Sequence, residues 1–444
     1  MEQEQTEPTG KSTSDGNKYS TPARKTNGAQ RRTLGNIVFP VEKMLVSKAM
    51  RAFGNPPVEV VLWNGHKISK YNGNAVASVL FRDRGALFKL VADPELNFGA
   101  LYSAQRIEVQ GDLLDFLEAV YRVWPLRTQD NLGKRLLSPL NGSRRNTLNG
   151  SRQNIHHHYD IGNDFYKLWL DERMLYTCAY FPTPDSSLED AQLAKMDHVC
   201  RKLRLQPGDK VVETGCGWGA LALHMGKHYG AKVIAFNIST EQVAFARQRA
   251  KSEGLEGQVE FIEDDYRNVS GEFDAFVSVG MLEHVGTENY QELGAVIDRT
   301  LKNDGRGLIH SIGLNYPRPM DAWTERHIFP GANPPSLAQM MQIFEPYDFS
   351  VLDVENLRLH YAKTLEHWLQ RFENNVERIT EMFDPAFVRA WRLYLAGSFT
   401  AFKTGGMQLF QVNFTRAGNN QIPWTRQYLY DSQHTARAKS DGKL

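Results

Sequence analysis

The chain has 444 residues, 41% apolar and 23% charged side chains, and a formal net charge of +1. That is enough for two globular domains with a large core, and no apolar run approaches the ~20 residues of a membrane span. Three cysteines (Cys178, Cys200 and Cys216) supply neither a disulfide framework nor a C-x-x-C metal pair, which fits a reducing cytoplasm.

Residues 1–34 are rich in Ser, Thr, Gln, Asn, Gly and charge, and read as a disordered tail without a signal peptide. Residues 35–124 read as a small, separate α+β domain. Val41 to Phe53 has apolar residues at helical spacing, with Lys43, Lys48 and Arg51 on the remaining face. It reads as a helix packed on its own domain or as a surface helix touching anionic lipid. Val58 to Trp63 and Ala86 to Val91 read as strands, Asn64-Gly65 as a hairpin turn, and Leu113 to Trp124 as an amphipathic helix.

Residues 125–153 read as a basic linker. From Arg122 to Arg152 the charged residues are Arg122, Arg127, Lys134, Arg135, Arg144, Arg145 and Arg152 against Asp130 alone. The stretch Leu140-Asn141-Gly142-Ser143-Arg144 is echoed by Leu148-Asn149-Gly150-Ser151-Arg152. A solvated linker and a patch held to anionic phospholipid both fit this charge. No aromatic interleaving or nucleic-acid motif accompanies it, so nucleic acid is not expected as a partner. His156-His157-His158 does not suggest a metal, because three consecutive side chains do not readily converge on one ion.

Residues 154–432 alternate between strand and helix patterns, and 433–444 read as a flexible tail. Val211-Val212-Glu213-Thr214 runs into Gly215-Cys216-Gly217-Trp218-Gly219, after a turn at Gln206 to Asp209. This is a strand, a tight glycine turn and a helix start, the entry to a Rossmann-like sheet. Strands are expected at Lys232–Asn237, Val259–Ile262, Phe273–Val279, Gly307–Ile312, Phe349–Val354 and Gln408–Phe414. Seven strands with intervening helices imply an α/β, mostly parallel, doubly covered sheet. The stretch from Tyr316 to about Phe399 reads as a helical lid insertion over an apolar substrate.

The pattern E-x-G-x-G-x-G at Glu213 resembles the first motif of S-adenosylmethionine (SAM) methyltransferases. Asn237, at the end of the second strand, and Asp265-Tyr266, after the third, stand where such enzymes hold ribose and adenine. Ser239-Thr240 followed by Glu241-Gln242 also reads as a helix cap.

Five motifs then carry a closer resemblance. They are His158-Tyr159-Asp160-Ile161-Gly162-Asn163, Tyr176-Thr177-Cys178-Ala179-Tyr180-Phe181, the glycine turn, Gly280-Met281-Leu282-Glu283-His284-Val285-Gly286, and His310-Ser311-Ile312-Gly313. In this order they resemble the cyclopropane fatty acid synthase and mycolic acid methyltransferase family, over about residues 150 to 430. The resemblance implies a cytoplasmic SAM-dependent enzyme, peripheral on the inner face of the membrane. It would add a methylene across a cis double bond of phospholipid acyl chains. The first domain then reads as lipid-binding-like. A homodimer is compatible with action on vesicles.

The same resemblance implies a bound bicarbonate that deprotonates a lipid carbocation, cradled by Cys178, Glu283, His310, the backbone of Ile312, and Tyr361. It implies SAM contacts at Tyr176, Thr177, Glu213, Gly215, Gly217, Asn237, Gln242, Asp265 and Tyr266. Glu213, Thr177, Asn237 and Tyr266 depart from the usual Asp, Ser, Thr and Trp. Ser398 stands where some members have a cysteine, which argues against a nucleophilic thiol there. Simpler readings stay open: Cys178 as a small buried residue, Glu283-His284 as a helix-start pair, Cys200 as core. Rival functions are methyl or methylene branching of the acyl chain, methylation of a small molecule, and lipid binding without catalysis.

Overall fold

The computed structural model describes residues 40–69, 73–123 and 161–430. The terminal tails, the basic linker with its repeat and the three consecutive histidines therefore lie outside the described residues.

The N-terminal unit opens with α1 (Pro40–Ala52), β1 (Val58–Val61), β2 (Lys67–Ile68) and β3 (Ala77–Phe81). It continues with α2 (Arg84–Ala92), α3 (Pro94–Ser103), β4 (Ile107–Gln110) and α4 (Leu113–Val123). Its sheet has the order β2-β1-β3-β4. The β1–β2 hairpin turns at Asn64-Gly65, where Gly65 has φ 80°. The Ala86–Val91 segment is helix α2, not the expected strand. The Asp83 side chain accepts from the Ala86 N–H at 2.9 Å and caps it. Ala86, Leu87 and Leu90 then share one buried face. A short apolar run carries no decisive period, so the cap settles the outcome.

The second unit begins with α5 (Asn163–Tyr166), α6 (Leu188–Lys202), β5 (Lys210–Thr214), α7 (Ala220–Tyr229), β6 (Lys232–Asn237) and α8 (Thr240–Ser252). Then come β7 (Val259–Glu263), β8 (Phe273–Val279), α9 (Tyr290–Thr300), β9 (Leu301–Gly313), α10 (Ala322–His327) and α11 (Leu337–Met340). It ends with β10 (Phe349–Asn356), α12 (Arg358–Asn374), α13 (Val376–Met382), α14 (Pro385–Lys403) and β11 (Gln408–Arg416). The seven strands lie in the order β10-β11-β9-β8-β5-β6-β7. The pairs β5–β6, β6–β7, β5–β8 and β8–β9 are parallel, whereas β11 runs antiparallel to both β9 and β10. Strand order reverses at β5, whose carboxyl end is thus the switch point where ligands bind in such sheets.

The stretch from Tyr316 to Phe399 carries, besides its helices, the strand expected at Phe349–Val354, which joins the sheet edge as β10. The N-terminal unit, expected to stand apart, packs against the second one. Leu101, Tyr102, Phe116 and Val120 belong to one continuous buried cluster with Trp323, Trp391 and Tyr394. At Gly99 on α3, an added Cβ would lie 2.4 Å from the Trp323 ring on α10. Only a glycine permits that approach. The apolar faces of α3 and α4 are covered by α10 and α14, so the two units share their core.

Candidate active site

At the end of β5 the chain passes through Gly215, Gly217 and Gly219, all at positive φ (80°, 53° and 81°). L-side chains rarely adopt this backbone, so the sharp turn selects glycine. A Cβ on Gly215 would lie 2.8 Å from Met281 Cβ, and one on Gly219 2.6 Å from Phe261 Cζ. On Gly217 it would meet nothing within 4 Å, because that residue borders a cavity.

All nine residues expected to contact SAM line this one cavity: Tyr176, Thr177, Glu213, Gly215, Gly217, Asn237, Gln242, Asp265 and Tyr266. Asn237 Nδ2 donates to Gln242 Oε1 at 2.8 Å and to Gly217 O at 3.2 Å. Its amide hydrogens thus tie β6 and α8 to the glycine turn. Ser239 does cap α8, accepting from the Gln242 N–H at 3.4 Å. Asp265 accepts from the Arg267 backbone N–H at 3.0 Å and pairs with its guanidinium at 3.3 Å. Glu213 Oε2 and the Tyr266 hydroxyl are buried with no protein partner. Burial pushes the Glu213 carboxyl up to about 8, against the pull of Lys195 and the Ala222 N–H. Open space at Gly217 and two orphaned polar groups fit a large polar cofactor.

A second, smaller cavity abuts the first. Tyr176, Thr177, Gly280 and His284 line both. All five residues expected at the base site line the smaller one: Cys178, Glu283, His310, Ile312 and Tyr361. Met320, Phe329, Ala332, Pro334 and Leu409 supply its apolar wall.

Each polar group there has a defined state. His310 Nδ1 lies 3.0 Å from the Gln411 side-chain amide nitrogen, while its Nε2 is buried without a partner. An amide nitrogen only donates, so Nδ1 accepts and Nε2 carries the hydrogen into the cavity. Burial drives the imidazole pKa well below its usual value, so the ring is neutral. Glu283 Oε1 accepts from the Ile312 N–H at 2.5 Å, and Oε2 has no partner. Burial lifts this carboxyl to about 7. The Ile312 carbonyl accepts from Ser311 Oγ at 2.8 Å. Both polar backbone groups of Ile312 are therefore engaged inside the protein, and the residue shapes the site through Glu283.

The Cys178 thiol donates to the Ala179 carbonyl at 3.1 Å, and burial pushes its pKa up, so it is a neutral donor. Tyr361 packs against Phe402, with ring centroids 4.6 Å apart. Cys200 is fully buried in the core, and Ser398 lines neither cavity. Trp368 and Trp391 lie in the aromatic cluster around Trp169.

Sequence reasoning missed Gln411, Lys195 and the apolar wall. Lys195 left a trace, since it falls on the apolar stripe of α6 with Leu188, Ala191 and Val199, and only 1% of it is exposed.

A seven-stranded sheet of this order, with a glycine turn opening on a cofactor-sized cavity, defines a SAM-dependent methyltransferase. A family model described as mycolic acid cyclopropane synthetase matches residues 146–412, and a model of a domain of unknown function matches residues 45–125. The chain is 37% identical over 365 residues to the cyclopropane-fatty-acyl-phospholipid synthase of Escherichia coli strain K12, covering 79% of this chain and 91% of that one. It is 36% identical over 389 residues to a probable fatty acid methyltransferase of Pseudomonas putida, covering 84% and 96%. The solved structure of mycolic acid cyclopropane synthase CmaA1 with SAH and CTAB aligns at a TM-score of 0.57 and 29% identity, covering 60% and 98%. The chain belongs to the mycolic acid cyclopropane synthetase family.

Proposed function

We propose that this enzyme converts cis double bonds of phospholipid acyl chains into cyclopropane rings. The observation that carries the reading is the pair of abutting cavities, one fit for SAM and one holding buried polar atoms against an apolar wall.

Thr177, Glu213, the glycine turn, Asn237, Gln242, Asp265 and Tyr266 would hold SAM, which supplies an electrophilic methyl group when bound. Tyr176 and Thr177, at the junction of the cavities, would align that methyl with the alkene. Transfer of that methyl to the alkene would break its bond to sulfur, with the demethylated thioether as leaving group, and leave a carbocation on the acyl chain. Phe329, Met320, Ala332 and Pro334 exclude the water that would trap this cation as an alcohol. The ring of Tyr361 offers a π face to the positive charge.

Ring closure requires loss of a proton from the added methyl group. The orphaned His310 Nε2 and Glu283 Oε2 fit a small anion such as bicarbonate, which would supply the base. His310 donates its Nε2 hydrogen. Protonated Glu283 adds a second donor through its unpartnered Oε2, while Cys178, whose one hydrogen goes to the Ala179 carbonyl, lines the cavity as a neutral thiol.

Attachment to the bilayer is proposed to be peripheral. Among the described residues no helix is long and apolar enough to cross a membrane. On α1, Val41 and Met44 are exposed beside the exposed Lys43, Lys48 and Arg51, a face suited to anionic lipid. The basic linker would add charge.

A second reading, methyl or methylene branching of the acyl chain, is favoured by the similarity to the probable fatty acid methyltransferase. Product analysis separates the two. Purified enzyme is incubated with SAM and vesicles of monounsaturated phospholipid, and the released fatty acids are examined by mass spectrometry and proton NMR. Ring protons with loss of the alkene support the synthase; a retained alkene supports branching.

A further inference from the structure

We infer that Lys195 makes the SAM site selective for the amino-acid carboxylate of its ligand, by holding Thr177 as a hydrogen-bond donor into the cavity. The inference rests on the reading of the larger cavity as the SAM site.

The geometry begins on α6. Lys195 Nζ donates to Thr177 Oγ1 at 2.8 Å, and Gln192 Nε2 donates to the Thr177 carbonyl at 2.9 Å. Gln192 and Lys195 are one turn apart on the same face, so the helix grips Thr177 at both its backbone and its hydroxyl. Gly280 fixes the remaining direction, since a Cβ there would lie 2.8 Å from Thr177 Cγ2. The Thr177 methyl therefore rests over Gly280 while its oxygen faces Lys195.

Donor and acceptor inventory then dictates polarity. An ammonium has hydrogens and no lone pair, so Thr177 can only accept from it. The threonine hydrogen must point elsewhere, and among the described residues no acceptor takes it. Thr177 and Lys195 both line the cavity. A donor backed by a buried cation suits an anionic atom. It does not suit a sulfonium, and a backing cation favours a carboxylate over a neutral hydroxyl as the acceptor.

The opposite charge is also present. Glu213 lines the same cavity, with Oε2 buried and without a protein partner. A cation and an unpartnered carboxyl lining one cavity complement a zwitterionic amino acid, carboxylate toward Thr177 and Lys195, ammonium toward Glu213, whose carboxyl a bound ammonium would hold ionised against the pull of burial. A buried lysine that served only to strap a loop would not need to border the cavity. Lys195 is a positioning residue in this scheme, because it acts through the Thr177 hydroxyl.

The test is calorimetric binding of S-adenosylhomocysteine and of its decarboxylated analogue, S-adenosyl-3-thiopropylamine, to the full chain. Wild type should prefer the carboxylated ligand by about tenfold or more, the scale of a charge-assisted hydrogen bond. Lys195→Met should weaken S-adenosylhomocysteine by about that factor, leave the analogue within roughly twofold, and so collapse the preference. Thr177→Val should do the same, and Thr177→Ser, which keeps the hydroxyl, should retain the preference. If Lys195→Met does not fold by circular dichroism, the Thr177 pair decides. A preference that survives both Lys195→Met and Thr177→Val, or two ligands weakened equally, overturns the inference. Wild type that binds neither ligand overturns the underlying SAM reading instead.

Discussion

His310 Nδ1 accepts a hydrogen bond from the Gln411 side-chain amide at 3.0 Å, and this contact sets which ring nitrogen carries the proton. The two residues face each other on adjacent antiparallel strands β9 and β11. Gln411 is fully buried, so no water competes for the contact. Replacement by Leu should let the ring populate its other tautomer, with Nε2 bare toward the cavity. Turnover should fall roughly tenfold while SAM affinity stays within about twofold, because Gln411 lines neither cavity and only one hydrogen bond is lost. Nitrogen-15 NMR of the His310 ring should show the tautomer change, and an unchanged spectrum would contradict the assignment.

Glu283 lines the smaller cavity, proposed to hold the base, and not the larger one. Glu283→Ala, which removes the donor to the anion, should reduce turnover by about tenfold or more, the scale of a hydrogen bond to a charged group. SAM affinity measured by calorimetry should remain near the wild-type value. A large loss of SAM binding would put the residue in the wrong pocket.

The same side chain predicts a pH effect on stability. Burial raises the Glu283 carboxyl from 4.5 to about 7 in the folded protein. Below the unfolded pKa both states hold the proton, and the neutral carboxyl is tolerated. Between about pH 4.5 and pH 7 the folded state alone retains it, so stability falls as pH rises, by up to about 3 kcal/mol, and levels off above pH 7. Glutamine has no such dependence. Urea unfolding of Glu283→Gln against wild type should therefore show the variant gaining relative stability from pH 5 to pH 8. A constant difference across that range would show that the carboxyl titrates normally.

Gly99 predicts how closely the two units depend on each other. A Cβ there would press on the Trp323 ring at 2.4 Å, and α10 leads directly to Phe329 and Ala332 of the smaller cavity. Gly99→Ala should destabilise the protein by about 1–3 kcal/mol, an overpacking effect. Turnover should fall with it, although Gly99 lies in the other unit. Thermal melts and activity assays on one preparation check both, and full activity with a lowered melting temperature would uncouple the two units.

Much of this was legible in the sequence because the chemistry is local there. The glycine turn, the strand before it and Asn237 at the next strand end follow one another within Val211–Asn237, and the positive φ of Gly215, Gly217 and Gly219 explains their spacing. Motif resemblance brought together Cys178, Glu283, His310 and Tyr361, which are far apart in the chain yet line one cavity. Periodicity failed where runs were short. Ala86–Val91 became a helix through the Asp83 cap, and Ala77–Phe81 and Ile107–Gln110 passed unnoticed as strands. Pairings across the fold were invisible. Nothing in a single sequence tells that Gln411 will sit opposite His310, that Lys195 will reach Thr177, or that Gly99 will admit Trp323.

The central claim is that the proton lost comes from the transferred methyl group. Enzyme given SAM with a trideuterated methyl group, and vesicles of monounsaturated phospholipid, tests it directly. The expected product has a cyclopropane ring, no alkene, and two of the three deuteriums in the ring methylene by mass spectrometry and NMR. A product that keeps all three deuteriums in a methyl branch, with an alkene retained, would contradict it.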